Sequence, residues 1–331
     1  MPSIILHLNV KDDKKVLEEK VTFVRNLDAL HAQGRRSVVS IGSFDGVHLG
    51  HQSVLDSVLK RSDENELTSI VTTFEPQPKE FFGDERAPAR LMRLREKIES
   101  LLAFGVDRVV CLRFNRELRN LSASDFIARV LSRGLGVQHL IVGDDFRFGC
   151  DRIGDIGMLR AYSSRYNYKV EDTDTLEVDG QRISSTLVRK LVETSDFVGA
   201  KQLLGRAFAI TGRVVHGQHL GQALGFPTAN VHLHRNRAPL SGVFAVRVYV
   251  GEKRYFGAAN VGVRPTIGDA VKPILEVHLL DFSGDLYTQF ITVEFLHKVR
   301  EEQKFDGLEE LVSRITQDVR AIKNLLHDEM I

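Results

Sequence analysis

The feature that most constrains the fold is a change of hydrophobic pattern near residue 185 of this 331-residue chain. Before it, β-branched runs such as SVVSIG and LTSIVTTF alternate with runs of helical period such as LMRLREKIESLLAFG. This alternation predicts a parallel sheet with helices on both faces. After it, short runs of strand period such as GVFAVRVYVG follow one another between glycine turns. That second pattern favours a small β-barrel.

We therefore expect two domains of different class. Residues 1–185 should form an α/β domain with a doubly wound parallel sheet, and residues 186–331 a small β-barrel followed by a terminal helix, GLEELVSRITQDVRAIKNLL. The stretch VRKLVETSDFVGAKQLLG predicts a helical connector between them. In a doubly wound sheet, ligands bind beyond the carboxyl ends of the strands.

Composition narrows the class of partner. Apolar residues make up 43% of the chain, charged residues 27%, and the net charge is +1, so a small-molecule substrate is favoured over nucleic acid or a membrane surface. Cys111 and Cys150 lack metal-site spacing and are expected to be reduced structural thiols. Neither a signal peptide nor a membrane span is evident. These observations predict a cytoplasmic protein.

The segment GSFDGVHLGH, residues 42–51, lies between a predicted strand and a predicted helix. Gly42, Gly46 and Gly50 allow sharp turns and a close approach of the backbone to a ligand. His48 and His51 are three residues apart at the helix entry, so both can face one ligand. Free N–H groups and the helix dipole favour an anion there. We predict a phosphate site, although neither the P-loop lysine nor a G-x-G-x-x-G pattern is present.

The same segment resembles the G-x-F-D-G-x-H-x-G-H signature of nucleotidylyltransferases, and ISSTLVR, residues 183–189, resembles their second signature. TFEPQPKEFF and GDDFRFG resemble the flavin-binding segments of bacterial FAD synthetases, except that Gln77 stands where that family leads us to expect His. Two interpretations of Asp45 stay open: it contributes to the site, or it only closes a turn, as Asp often does.

This resemblance implies roles for residues of the first domain. His48 and His51 would be catalytic. The nucleotide would be bound by Gly42, Phe44, Asp45, Gly46, Gly50, Ser185, Thr186 and Arg189. The flavin would be bound by Phe74, Pro76, Pro78, Asp144 and Phe146.

The second candidate site is in GQALGFPTANV, residues 221–231. Thr228 and Asn230 offer neutral oxygens, which suit a magnesium ion balanced by ATP phosphates; alternatively, they only organise the loop. Glu276 alternates with apolar residues of a predicted strand. An acid in such a strand is energetically unfavourable unless it has a functional role. Its alternative interpretation is a solvent-facing strand residue.

GFPTAN resembles the G-x-P-T-A-N motif of riboflavin kinases, and GAANVGVRPTIG, LEVHLLDF and VREEQKF continue the likeness. The resemblance implies that Glu276 is the general base for the riboflavin 5′-hydroxyl and that Thr228 and Asn230 hold Mg²⁺. It further implies nucleotide binding by Gly217, Gly221 and Gly225, and flavin binding by Arg300 and Phe305.

From about Ser37 to the final helix, the chain thus resembles the bacterial bifunctional riboflavin kinases/FAD synthetases. The resemblance implies an FMN adenylyltransferase domain over residues 1–185 and a riboflavin kinase domain over residues 186–331. The implied transferase phosphorylates riboflavin to FMN with ATP and then joins FMN to AMP, giving FAD and pyrophosphate. Mg²⁺ and ATP would be required, and a monomer or weak homo-oligomer is expected.

Two alternatives stay open at this point. One is a single-activity enzyme in which one domain serves only as a scaffold. The other is a flavin-binding storage or regulatory protein without turnover. The presence of His48, His51, Thr228, Asn230 and Glu276 argues against the second alternative.

Overall fold

The structure is a computed structural model that describes residues 21–26, 36–83, 87–178, 180–217, 221, 224–233, 235, 237–265 and 271–327. The chain divides into two compact units. The first comprises Met1–Pro88 and Leu94–Ser184, and the second comprises Ala89–Arg93 and Ser185–Ile331.

The first unit contains a six-stranded sheet in the order β1-β4-β3-β2-β5-β6. Every neighbouring pair is parallel, so the predicted doubly wound α/β class is confirmed. The strands are β1 (Val21–Val24), β2 (Ser37–Ile41), β3 (Thr68–Glu75), β4 (Arg108–Arg113), β5 (Val137–Gly143) and β6 (Lys169–Thr173). A short hairpin of β7 (Glu177–Val178) and β8 (Gln181–Arg182) follows.

The helices of this unit connect the parallel strands. They are α1 (Leu49–Asn65), α2 (Pro78–Phe81), α3 (Leu94–Ala103), α4 (Arg116–Arg119), α5 (Ala123–Asp125) and α6 (Ile156–Tyr166). A π-helix, Phe126–Gly134, continues directly from α5. Ser122 caps α5, since its hydroxyl accepts from the Asp125 N–H at 3.0 Å.

The strand order places the first candidate site. The chain runs from β2 through β3 to β4 on one side of the sheet and from β5 to β6 on the other, so the order reverses between β2 and β5. Ligands of doubly wound sheets bind at such a reversal. The segments that follow the carboxyl ends of β2, β3 and β5 are GSFDGVHLGH, PQPKEFF and DDFRFG. All three predicted ligand-binding segments therefore lie at one edge of the sheet.

Tyr168, just before β6, yields a stability prediction for this unit. The side chain is buried and its hydroxyl donates to the Leu159 carbonyl at 2.8 Å. Burial first, and Tyr166 second, raise the pKa of Tyr168 to about 12. Because the neutral form is favoured in the fold, its contribution is complete below the unfolded pKa of about 10 and is lost as pH rises towards the folded value.

We therefore expect the stability of the first unit to fall between pH 10 and 12 more steeply in the wild-type protein than in Tyr168→Phe, which has no phenol to ionise. Urea unfolding at several pH values measures this difference. Parallel pH profiles of the two proteins would contradict the prediction.

The second unit is built on a closed barrel in the order β10-β13-β12-β11-β14-β9, which confirms the predicted barrel. The strands are β9 (Ala209–Val215), β10 (Ala229–His232), β11 (Gly242–Val250), β12 (Lys253–Pro265), β13 (Val271–Leu279) and β14 (Phe290–Arg300). The predicted terminal helix is confirmed as α9 (Leu308–Leu325). Phe244 and Phe295 pack edge to face in the core, with centroids 5.3 Å apart.

The predicted helical connector is two helices, α7 (Ser185–Glu193) and α8 (Phe197–Leu204). Ser195 separates them with a φ of 63°, in the left-handed region where a helix cannot continue. Asp196 then starts α8 by accepting from the Gly199 N–H at 2.8 Å. The sequence ETSD offers local capping chemistry, and this chemistry overrides the helical period.

The segment Ala89–Arg93 belongs to the second unit although it lies far upstream in the chain. Arg93 donates to the Thr211 carbonyl of β9. The buried Arg235 donates to the Arg90 carbonyl at 3.0 Å. The expected division of the chain at residue 185 places Ala89–Arg93 in the first domain, because no local sequence pattern indicates that this segment packs with the second unit.

Among the helices of the described part of the chain, none is both long and apolar enough to cross a membrane.

Candidate active sites

The loop between β2 and α1 has an unusual backbone. Phe44, Gly46 and Val47 all have positive φ values, of 46°, 87° and 42° respectively. Such a conformation is easy for glycine but strained for a β-branched residue such as Val47. Strain of this kind concentrates at functional sites, where surrounding structure holds it. The backbone therefore supports a binding role for the loop.

His48 and His51 are brought together at the start of α1. His48 is the N-cap, and its Nδ1 accepts from the His51 backbone N–H at 3.3 Å. The two rings stack, with centroids 3.7 Å apart. Because Nδ1 of His48 is an acceptor, the neutral ring carries its proton on Nε2 and can donate it to an anion. The predicted pair is thus a compact donor group at a helix N-terminus.

The glycines of this loop are in close contact with their surroundings. A Cβ on Gly50 would lie 3.2 Å from His48 Nδ1 and 3.3 Å from the Ile183 carbonyl oxygen, and one on Gly42 would lie 3.1 Å from the Phe44 ring.

Asp45 is only 2% exposed. It is therefore not a solvated turn residue, and a buried carboxylate needs donors around it.

Lys97 on α3 is a candidate residue of the first site that was not predicted from the sequence. Its side chain is 1% exposed. The Nζ atom donates to Thr73 Oγ1 at 3.5 Å, and that hydroxyl donates to the Ser43 carbonyl at 3.4 Å. The ammonium group thus reaches the GSFDGVHLGH segment through one hydroxyl. The available signal was a lysine four residues before Leu101, on the buried face of the helix.

The ISSTLVR segment is divided by the boundary between the units. Ile183 belongs to the first unit and approaches Gly50. Ser185, Thr186 and Arg189 lie on α7 in the second unit. Arg189 Nε donates to the Ala89 carbonyl at 2.6 Å. The roles of these three residues at the triphosphate stay predictions.

Aromatic side chains gather after β3 and β4. Phe74, at the end of β3, lies 6.0 Å from Phe114, and Phe81 lies 5.3 Å from the same ring. The Phe114 N–H donates to the Glu75 carbonyl at 3.0 Å, which joins the two strand ends. Sequence reasoning selected Phe74 but not Phe81 or Phe114. The signal for Phe114 was its place directly after a neighbouring parallel strand.

The prolines and Gln77 shape the same segment. The Glu75–Pro76 peptide is cis, and Pro78 is the first residue of α2. The N–H of Gln77, the N-cap, donates to Glu80 Oε2 at 3.1 Å. The residue that departs from the family pattern therefore begins a helix here.

The GDDFRFG segment follows β5. Phe146 stacks on Phe148 at 5.6 Å. Asp144 accepts from Arg182 at 3.3 Å and from Thr175 at 3.2 Å, so it holds the β7–β8 hairpin near this segment. Flavin contact by Asp144 stays a prediction.

In the barrel, strand register places three polar residues in one row. Glu276 of β13 faces Asn230 of β10 on one side and Asn260 of β12 on the other. Their neighbours Leu275 and Val277 are fully buried, whereas Glu276 is half-buried. The row thus lies on the outer face of the barrel, as strand alternation requires. Asn260 was missed because register cannot be read from one strand.

Asn230 is the residue that best fits a metal ion. It is 6% exposed, and its Oδ1 has no hydrogen-bond partner among the described residues. Its amide occupies the position of a Cβ on Gly217, so only glycine fits there. Leaving a buried oxygen unpaired is unfavourable, and neutral oxygens with ATP phosphates are ligands that Mg²⁺ accepts. The residues therefore fit the predicted Mg²⁺ site.

No group of three or more His, Cys, Asp or Glu side chains in the described ranges is placed to hold a metal. A cation here would depend on the amide and hydroxyl oxygens of Asn230 and Thr228 together with the nucleotide.

The loop that carries Thr228 is held at both ends. Phe226 N–H donates to the Gly221 carbonyl at 2.8 Å. A Cβ on Gly221 would lie 3.2 Å from Thr228 Oγ1. His278 Nδ1 lies 2.8 Å from the Pro227 carbonyl, two residues along β13 from Glu276. β13, which carries the candidate base, thus also positions the candidate metal loop. Gly225, in the same loop, has a φ of 85°.

Arg300 has partners that sequence reasoning did not foresee. Its guanidinium binds the Asp318 carboxylate of α9 at 2.7–3.0 Å, donates to the Glu301 carbonyl at 2.9 Å and lies 5.7 Å from the Phe305 ring centre. Both charged groups are nearly buried. This arrangement anchors the segment to the helix; flavin contact by Arg300 and Phe305 stays a prediction.

Comparison with known proteins identifies a family for each of two parts of the chain. A family model described as FAD synthetase matches residues 30–187, and one described as riboflavin kinase matches residues 204–326. The bifunctional riboflavin kinase/FMN adenylyltransferase of Pseudomonas fluorescens is 51% identical over 302 residues, covering 91% of this chain and 97% of that protein.

The chain belongs to the bifunctional riboflavin kinase/FMN adenylyltransferase family.

A relative of the same name from Escherichia coli K12 is 46% identical over 89% of this chain and 94% of its own length. A solved structure described as a macrolide-efflux protein from Streptococcus pneumoniae has a TM-score of 0.76 at 28% identity and covers 92% of this chain and 99% of that one. As a member of the riboflavin kinase/FMN adenylyltransferase family, the chain is a transferase with both activities: it phosphorylates riboflavin to FMN and adenylylates FMN to FAD.

Proposed function

We propose that residues 186–331 carry the riboflavin kinase activity and residues 1–185 the FMN adenylyltransferase activity. The observation that carries the proposal for the kinase is the row of Asn230, Glu276 and Asn260 on the outer face of the barrel. It combines an acid with a buried amide oxygen that needs a partner.

In the kinase reaction, Glu276 accepts the proton of the riboflavin 5′-hydroxyl as that oxygen attacks the γ-phosphorus of ATP. Thr228 and Asn230 hold Mg²⁺, which supplies charge neutralisation at the phosphates when it is bound. Phosphoryl transfer depends mainly on positioning and charge neutralisation, and a base contributes where an alcohol must lose its proton. Gly217, Gly221 and Gly225 allow the nucleotide to approach the backbone, and Arg300 and Phe305 border the flavin.

In the adenylyltransferase reaction, the FMN phosphate attacks the α-phosphorus of a second ATP. This nucleophile is already an anion, so the site needs donors and cations rather than a base. His48 and His51 provide donors at the start of α1, and Ser185, Thr186 and Arg189 contact the departing pyrophosphate. Gly42, Phe44, Asp45, Gly46 and Gly50 enclose the nucleotide, and the segments with Phe74, Pro76, Pro78, Asp144 and Phe146 receive the flavin.

The near-zero net charge supports a protein that works in the cytoplasm on small molecules alone, as a monomer or weak homo-oligomer, without a nucleic-acid or membrane partner.

Incubating the whole protein with riboflavin, ATP and Mg²⁺, and separating the flavins by chromatography, tests the proposal. We expect FMN to appear first and FAD afterwards, with pyrophosphate released in proportion to FAD. Excess chelator should abolish FMN formation, because Thr228 and Asn230 carry no charge and the ATP phosphates would then lack charge neutralisation. FMN formation undiminished by the chelator would refute the metal assignment.

A further inference from the structure

Glu302, which follows β14, reaches back onto β12. Its carboxylate lies where a Cβ on Gly262 would be placed: the carboxyl carbon would be 2.8 Å from that atom, and one carboxylate oxygen would be closer still. Gly262 therefore contributes no side chain of its own to the outer face of the barrel, and the carboxylate of Glu302 fills the vacant position.

Strand register relates this position to the proposed base. Gly262 faces Ile274, whereas Glu276 is two residues further along β13 and faces Asn260. Diagonal neighbours on one face of an antiparallel pair are separated by about 7 Å. The outer face thus presents Asn230, Glu276 and Asn260 in a row, with the carboxylate of Glu302 beside that row.

The charges support the same proximity. Burial raises the pKa of Glu302, and the charge of Glu276 raises it further, whereas Arg300 lowers it. Both side chains are exposed, but Glu301 pairs with Lys298 at 2.7 Å. Of these two adjacent acids, only Glu302 is directed at the candidate site.

Resting on the kinase function proposed above, we propose that Glu302 is a specificity-determining residue that accepts a hydrogen bond from the sugar-alcohol hydroxyl next to the reacting 5′-hydroxyl. The Glu302 carboxylate lies at the Cβ position of Gly262, diagonal to Glu276 and about 7 Å from it along the strand pair. Two carboxylates placed in this way, each accepting a hydrogen bond of about 2.7 Å, can bind neighbouring hydroxyls of one polyol chain. The buried Oδ1 of Asn230, on the other side of Glu276, marks the phosphate end of the same row.

The negative charge of this pair also predicts discrimination between substrate and product. A neutral polyol satisfies both carboxylates, whereas the phosphate of FMN is repelled by them. Glu302 therefore favours binding of riboflavin and release of FMN.

The test uses the full chain and two substrates, riboflavin and its 4′-deoxy analogue. For the wild-type protein we expect the analogue to have a KM roughly 10- to 100-fold higher, the range for losing a hydrogen bond to a charged group. Glu302→Ala should raise the KM for riboflavin by a similar factor, should leave the KM for the analogue unchanged and should alter kcat little. Glu301→Gln is the matched control and should behave like wild type.

The outcomes distinguish failure of the proposed kinase function from failure of the proposed role of Glu302. A wild-type protein that makes no FMN overturns the proposed function itself. If wild type makes FMN but Glu302→Ala weakens riboflavin and the analogue equally, Glu302 only supports the loop and the inference is wrong. An unchanged KM for riboflavin refutes it equally. FAD formation from supplied FMN shows whether the variant has folded.

Discussion

Glu276→Gln is expected to lower the rate of riboflavin phosphorylation by roughly 100- to 10,000-fold, the range for loss of a general base. The amide keeps the shape of the side chain and its place between Asn230 and Asn260, but it cannot accept the hydroxyl proton. The loss should fall on kcat rather than on the KM for riboflavin, because binding contacts are retained. Initial rates of FMN formation at saturating Mg-ATP measure it.

The matched control is Glu252→Gln, a substitution of an exposed acid in the turn between β11 and β12. It should leave both activities unchanged, and Glu276→Gln should still convert supplied FMN to FAD. Near-normal kinase turnover in Glu276→Gln would make Glu276 the solvent-facing strand residue that its half-exposed position also permits.

His48→Ala and His51→Ala are each expected to lower FAD formation from FMN by roughly 100-fold or more, the scale for removing a donor that stabilises transition-state charge. His48 has a structural function besides the proposed catalytic one, since its Nδ1 caps α1 by accepting from the His51 N–H. Its replacement should therefore also reduce stability by about 1 kcal/mol, the usual effect of losing an N-cap. His51→Ala leaves the cap in place and should show the catalytic loss alone.

FMN formation from riboflavin should survive in both variants, which is measured in the same reaction by chromatography. His297→Ala, a substitution of an exposed histidine on β14, serves as the control and should retain both activities. Equal loss of FMN and FAD formation in a folded His51→Ala variant would contradict the assignment of the pair to the adenylyl site.

The two activities were predictable from sequence because their markers are local. The GSFDGVHLGH and GFPTAN segments are each contiguous, and the glycines and histidines in them act within one loop or one helix turn. The strand and helix periods that define the two domain classes also extend over only a few residues. The capping pair at Ser122 and the start of α1 at His48 depend on residues three apart.

The residues that sequence reasoning missed depend on long-range contacts. Asn260 joins Glu276 only through the register of β12 against β13. Lys97 reaches Ser43 through Thr73, across three separate segments. Neither relation leaves a pattern within one element, since a register shift of one residue would turn every side chain to the other face.

What the sequence determined by itself is the class of each domain, the position of each candidate ligand-binding loop and the chemistry that the motifs imply, because backbone period and turn chemistry act between near neighbours. Only the tertiary structure decided that Ala89–Arg93 packs with the barrel unit, that Arg300 binds Asp318 and that Glu302 replaces the missing side chain of Gly262. These choices arise from close packing and charge pairing between distant segments, which minimise buried unpaired groups over the folded unit as a whole.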